Sequence, residues 1–312
     1  MNRLAHDHGH DHSAVWQSRT GSGYGRAFAL GIGINLAYLI AEAWFGIASR
    51  SLALLADAGH NLGDVLALGL AWGAEVLSRR GPSRRFTYGL RSTSILAALA
   101  NAIILLVVTG GIAWEGLWRL WHPVAVAGNT VAWVAAAGIA VNGATALLFM
   151  RGRRSDLNIR SAFAHMAADA AVAAGVAIAG IAIAATGWLW LDPAVSLAVS
   201  LIIVYGTWDL IRQALSLALD AVPSGIDASA VHDYLREVSG VSALHDLHIW
   251  GMSTTETALT CHLVMPGGHP GDAALGALAR ELEERFGIQH ATIQIELADS
   301  EEVCALTPEH VV

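Results

Sequence analysis

Two stretches of this chain place a histidine four residues before an aspartate: His60 and Asp64 in "ADAGHNLGDV", His165 and Asp169 in "AFAHMAADAAV". On a helix that spacing stacks both side chains on one face. Where two such faces meet, they present two imidazoles and two carboxylates, a nitrogen and oxygen set suited to tetrahedral zinc. These donors bind metal only when deprotonated, so protons leave as the ion arrives. Histidine titrates near neutrality, which makes such a site an exchanger of protons for metal. Two imidazoles favour borderline ions such as zinc, cobalt or nickel, and the absence of thiolate argues for zinc over cadmium. A metal-free proton relay draws on the same residue types. An intramembrane metalloprotease needs His-Glu-x-x-His, which the chain lacks, and no enzyme activity is expected.

Both pairs lie in segments apolar enough to cross a bilayer, where each charged group is costly and ionisable residues mark ion or proton pathways. Hydrophobic residues make up 54% of the 312 positions and charged ones 14%, well under the roughly one quarter usual in a soluble domain. About 20 apolar residues span a membrane. Six stretches qualify: Ala27–Ala48, Ser51–Leu77, Ile95–Trp114, Val124–Met150, Ser161–Leu191 and Ala194–Leu217. An even number returns both termini to one side. The links after spans two and four carry Arg79, Arg80, Arg84, Arg85, Arg91, Arg151, Arg153, Arg154 and Arg160, while the opposite links carry Arg50 and Arg119. That asymmetry places both termini in the cytoplasm. Trp114, Trp118, Trp121, Trp188 and Trp190 fall near the outer ends of spans, where aromatic belts sit. Small residues around the pairs, among them Gly59, Gly63 and Ala168, are expected to let the second and fifth spans approach closely.

The polar N-terminus has no apolar core of a signal peptide, so the first span is expected to serve as both targeting signal and anchor. The net charge of −8 excludes a broadly basic nucleic-acid binder. The two cysteines, Cys261 and Cys304, both lie in the polar tail and imply no disulfide framework. Three domains are expected: a histidine-rich cytoplasmic segment 1–25, a six-helix transmembrane domain 26–220, and a cytoplasmic domain 221–312 with a loose C-terminal end. In the last of these, amphipathic "DASAVHDYLREV" and "GDAALGALARELEERFG" read as helices, and alternating "LHDLHIW", "TALTCHLVM" and "HATIQIEL" as strands. The order αββαβ makes a small α+β sandwich. "HDHGHDH" sets His6, His8, His10 and His12 at alternate positions, a short tract that binds metal weakly.

"SLALLADAGHNLGDV", "RRFTYGLRS", "AFAHMAADAAVAAGV", "LDPAVSLAVS" and "HDLHIW" together resemble the zinc-type branch of the cation diffusion facilitator family, from Gly25 to Leu297. The resemblance implies a homodimer in a bacterial inner membrane that exports divalent cations in exchange for protons, with a ferredoxin-like cytoplasmic domain. It implies transport ligands at His60, Asp64, His165 and Asp169, and a cytoplasmic zinc site at positions matching His245 and His262. Where some relatives have histidine in the last strand, this chain has Gln294, so Glu296 or Cys304 is the expected substitute. Asp57, Asn35 and Glu42 match positions that are polar in relatives. "RRGPSRRFTYGLR" lacks the histidine and aspartate of a second metal site found in some relatives. Zinc is the expected ion, with cadmium, cobalt, nickel or iron as alternatives. A membrane zinc sensor without transport is the other reading.

Overall fold

Hydrocarbon offers backbone N–H and C=O groups no water, so a spanning segment satisfies them internally, as helix. The computed structural model describes residues 24–78, 80–149 and 157–297, and six long helices precede a three-stranded sheet. They are α1 (Tyr24–Ser49), α2 (Leu52–Ser78), α3 (Thr93–Trp121), α4 (Gly128–Phe149), α5 (Leu157–Thr186) and α6 (Leu191–Ala218). Four of them, α3 to α6, are long and apolar enough among the described residues to cross a membrane on length and composition alone. In α2, Asp57, His60 and Asp64 dilute the apolar run. The chain divides into two compact units, one taking residues up to 72 with 100–211, the other 73–99 with the chain from 212.

Helix ends differ from the sequence reading for local reasons. Helix α3 runs on to Trp121, so Arg119 belongs to its last turn, where Nε donates to Glu115 Oε1 at 2.9 Å. Helix α4 starts four residues later than expected, beyond Pro123 and a short extended link. Helix α5 stops at Thr186 because Gly187 turns left-handed at φ 72°. Arg50 (φ 57°) turns the chain between α1 and α2.

In the first unit the backbones of α4 and α5 approach closely. A methyl group on Gly128 would lie 2.6 Å from the Gly180 carbonyl oxygen, and one on Gly180 2.6 Å from the Ala132 nitrogen, so only glycine fits either position. Ala53, Leu54, Val131, Ala135, Val176 and Ala177 form a core joining α2, α4 and α5. Trp44, Trp133 and Tyr205 are more than two-thirds exposed, as befits side chains meeting lipid. The start of α2 is capped from far along the sequence. Asp192, fully buried in the first turn of α6, accepts from Leu52 N at 2.7 Å, Ala53 N at 3.3 Å and the Ser51 hydroxyl. A helix N-terminus leaves such donors orphaned, and hydrocarbon has no water to take them.

The second unit contains α7 (Ala228–Glu237), β1 (Ala243–Gly251), β2 (Thr257–Val264), α8 (Asp272–Phe286) and β3 (His290–Glu296). Asp227 Oδ1 caps α7 by accepting from Ser229 N and Ala230 N, and Gly287 (φ 68°) ends α8. Strand β2 is central, antiparallel to β1 and parallel to β3, with α8 as the crossover. Val231 and Leu235 of α7 and Leu278 and Leu282 of α8 pack on Ile249, Leu259, Cys261 and Leu263 of the sheet. The order αββαβ agrees with the sequence reading. Residues 73–99 belong to this unit too. Arg91 Nη1 donates to Glu256 Oε2 at 2.6 Å, Ser92 Oγ to Met252 O at 3.3 Å, and Thr254 N to Ser94 Oγ at 3.1 Å. They tie the α2–α3 link to the β1–β2 turn.

The cap makes a measurable prediction. Asp192→Ala should lower stability by about 2 kcal/mol, the upper range for a lost cap, and Asp192→Asn should restore part of it. Thermal unfolding of the purified protein in one detergent checks this. Equal melting of wild type and Asp192→Ala would show that α2 needs no such cap.

Candidate metal centres

Helices α2 and α5 run antiparallel, so the histidine of each meets the aspartate of the other. His60 Nε2 lies 3.2 Å from Asp169 Oδ1, and His165 Nε2 lies 3.0 Å from Asp64 Oδ2. His165 Nε2 is also 3.7 Å from Asp169 Oδ2, on its own helix. The two rings meet edge to face with centroids 5.9 Å apart. One donor atom from each of the four residues falls within 4.8 Å of every other. Zinc bonds of about 2.0–2.1 Å set tetrahedral edges of roughly 3.3 Å, so the widest separation need shorten by no more than about 1.5 Å to suit an ion. Asp169 is the deepest of the four, with 3% of its side chain exposed, and Asp64 the most open at 31%.

The glycines beside these pairs have another neighbour than the sequence suggested. A methyl group on Gly63 would overlap Leu105, and one on Gly59 would touch Ile112 and Val108, all on α3. One residue is about 100° around a helix, so positions next to His60 and Asp64 in sequence face a different helix. Glycines therefore admit α3 to α2, and α4 to α5, while at the level of the two pairs α2 and α5 are joined by His–Asp contacts.

Behind this group lies a second polar cluster that the sequence did not connect. Glu42 of α1 is fully buried, and both its oxygens have donors: Tyr38 Oη at 2.7 Å and Asn61 Nδ2 at 3.0 Å. The Asp57 carboxyl, 1% exposed, is buried on α2 one turn before Asn61. Gly138 on α4 leaves the space that the Tyr38 hydroxyl occupies. An acidic residue one span away from a histidine pair has no local spacing to signal it.

In the C-terminal domain, His245, His262 and Glu296 converge on one face of the sheet, again with donor atoms within 4.8 Å of one another. Strand register does this: His245 pairs with His262 across β1 and β2, and His262 with Gln294 across β2 and β3. Glu296 lies two residues beyond Gln294 on the same face. His262 Nδ1 is 2.8 Å from Glu296 Oε1, and His245 Nε2 3.4 Å from Glu296 Oε2. The sequence reading missed Asp246. A bulge between His245 and His248 puts it at φ 52° and turns its carboxylate inward, 3.4 Å from His262 Nε2 and 2.9 Å from His248 Nε2. Cys261 points the other way, into the core. Burial and the nearby Asp246 carboxylate push its thiol up to about 12, so it offers no thiolate ligand. His6, His8, His10, His12 and Cys304 lie outside the described residues.

Known proteins share this layout. Residues 29–217 match the family model described as cation efflux transmembrane domain, and residues 223–298 the one described as cation efflux protein, cytoplasmic domain. The chain is 32% identical over 299 residues to the metal cation efflux system protein CzcD of Cupriavidus metallidurans, covering 96% of this chain and 92% of that protein. It is 34% identical over 295 residues to the zinc transporter ZitB of Escherichia coli, with 94% and 93% covered. A cadmium, cobalt and zinc/H(+)-K(+) antiporter of Bacillus velezensis is 33% identical over 266 residues, with 84% and 85% covered. Among solved structures, the metal-bound C-terminal domain of the Cupriavidus CzcD transporter is 36% identical, covers 23% of this chain and 100% of its own, and gives a TM-score of 0.22.

Proposed function

The chain belongs to the cation diffusion facilitator family, and on that premise we propose that it exports zinc from the cytoplasm in exchange for protons. The observation that carries this reading is the meeting of His60, Asp64, His165 and Asp169 inside the apolar unit, with donor atoms within 4.8 Å of one another. Zinc is the cargo there, held by two imidazoles and two carboxylates. Without metal, each imidazole already lies against a carboxylate of the other helix. An arriving cation replaces those contacts and drives off the protons that support them. Release to the far side requires α2 and α5 to expose the same four groups alternately to each face. The arginine-rich links after spans two and four support a cytoplasmic location of both termini.

The protein works as a homodimer in the bacterial inner membrane, with residues 26–220 as the transport domain and 221–312 as a dimerising and sensing domain. His245, His262 and Glu296, with Asp246 beside them, form a regulatory zinc site in this reading, and the N-terminal histidines a weaker one. The relative named for cadmium and cobalt as well as zinc supports a second reading, in which the same site also passes these ions.

Asp64→Ala and Asp169→Ala should each take zinc flux in proteoliposomes down to the lipid background while leaving elution volume and helix content unchanged. Near-normal flux in either variant would remove that residue from the transport site. His60→Asp, which trades an imidazole for a carboxylate, should shift preference away from zinc toward larger or harder ions.

Proton coupling has its own readout. Zinc binding should weaken on acidification, and calorimetry in buffers of different ionisation enthalpy should count protons released per ion. A count of zero would refute exchange at this site.

Zinc should raise the melting temperature of residues 221–312 and tighten their dimer in sedimentation, because an ion held only by the folded, paired form stabilises it by RT ln(1 + [L]/Kd). His262→Ala should abolish both effects. A variant that responds like wild type would show that zinc acts elsewhere.

A further inference from the structure

Residues 79–92, "RRGPSRRFTYGLRS", join α2 to α3 with five arginines and no acidic residue. Orientation in a membrane asks for positive charge on such a link, but it asks for no particular shape. This link has one. Gly89, at φ 76°, lies against the Arg80 backbone, and a methyl group there would come 3.1 Å from the Arg80 carbonyl oxygen. The two ends of residues 80–89 therefore meet, and the segment is a compact closed loop. Its tip is closed a second time. Ser83 N donates to Phe86 O at 2.9 Å, and Phe86 N donates to Ser83 Oγ at 3.1 Å. Arg84 and Arg85 are the two residues inside that closure.

The link divides its side chains between two uses. Arg91 reaches Glu256, Ser92 and Ser94 hold the β1–β2 turn, and Tyr88 sets its ring edge-on to His290 with centroids 5.6 Å apart. Arg80, Arg84 and Arg85 are instead exposed, with no ion pair among the described residues. Phe86 beside them is 49% exposed, and the Arg85 guanidinium lies 5.7 Å from its ring centre. One exposed phenylalanine is ordinary on a protein surface. Here it accompanies three guanidinium groups on a loop that cannot leave the membrane surface. Helix α2 leads into the loop, and α3, apolar enough to cross a bilayer, follows it. At that depth an aromatic ring has an apolar layer to enter, and guanidinium groups meet phosphates, which they bind through paired N–H donors.

We propose that the 80–89 loop binds an anionic phospholipid of the surrounding bilayer, with Arg80, Arg84 and Arg85 on the headgroup side and Phe86 on the acyl side. Charge selects the lipid. A zwitterionic headgroup carries its own cation beside the phosphate, whereas an anionic one leaves the negative charge for the protein to balance. The loop holds positive charge and no acid to offset it. It then joins the bilayer surface on one side to the β1–β2 turn on the other.

The test uses full-length protein, stripped of lipid in a neutral detergent and titrated with short-chain phosphatidylglycerol or phosphatidylcholine. Native mass spectrometry counts the lipid retained. Wild type should hold phosphatidylglycerol at least about tenfold more tightly, since each arginine near an anionic surface contributes a factor of about five. Arg80→Gln, Arg84→Gln and Arg85→Gln combined should abolish that preference. Arg151→Gln, Arg153→Gln and Arg154→Gln combined remove the same charge from the other arginine-rich link and should leave it unchanged. Phe86→Ala should weaken both lipids alike. Equal retention of the two lipids by wild type would overturn the proposal. So would equal losses in the two triple variants, which would reduce the effect to bulk charge. Displacement of the lipid by inorganic phosphate would assign the arginines to a soluble anion instead. A chain ending at Leu297 that binds phosphatidylglycerol far better than the full chain would show that the acidic residues beyond it, not lipid, occupy the loop.

Discussion

A carboxylate or imidazole in a hydrocarbon-bounded interior has no water to fall back on, so each such group is placed where another can satisfy it. Across α2 and α5 this constraint pairs His60 with Asp169 and His165 with Asp64. The surrounding helices then hold those two faces opposite one another. Asp192 fixes the start of α2, α3 lies against its glycine face, and α4 grips α5 through Gly128 and Gly180. Each fixing contact uses either a small residue or a buried hydrogen bond, because apolar attraction between helices is weak in lipid.

On the proposed reading, that arrangement suits a cation and is also satisfied without one. The His–Asp contacts present without metal involve the four side chains that would hold an ion, so loading would trade one satisfied state for another. A cluster of four carboxylates would repel itself when empty. Two imidazoles between two carboxylates avoid this, since each can carry or surrender a proton.

The C-terminal unit solves an easier problem with the ordinary means of a water-soluble α+β domain. Its core is built by α7 and α8 against one face of the sheet. The opposite face is free to gather His245, His262 and Glu296, and a single bulge adds Asp246 to the group. The turn at the end of the same two strands carries Met252, Thr254 and Glu256, which hold the α2–α3 link through Ser92, Ser94 and Arg91. Strands that carry the candidate ligands thus end where the sheet is tied to the α2–α3 link of the same unit.

Much of this was legible in the residues alone. Long apolar runs fixed six helices, and the four-residue spacing put His60 with Asp64 and His165 with Asp169 on single faces. Alternation and turn signals gave αββαβ to within about two residues at each end. These features are local: periodicity reports which side chains share a face, and length reports whether a segment spans. Periodicity cannot report which neighbour a face meets. Gly59 and Gly63 turned out to serve α3, Asp192 capped a helix about 140 positions earlier in the chain, and Glu42 found Asn61 across a helix boundary. Asp246 joined the histidines only through a left-handed backbone residue that no spacing rule marks. The sequence by itself therefore determined the elements and the chemical character of each face. Only the tertiary structure decided the partners, because helix rotation and sheet register are set by packing summed over the whole fold.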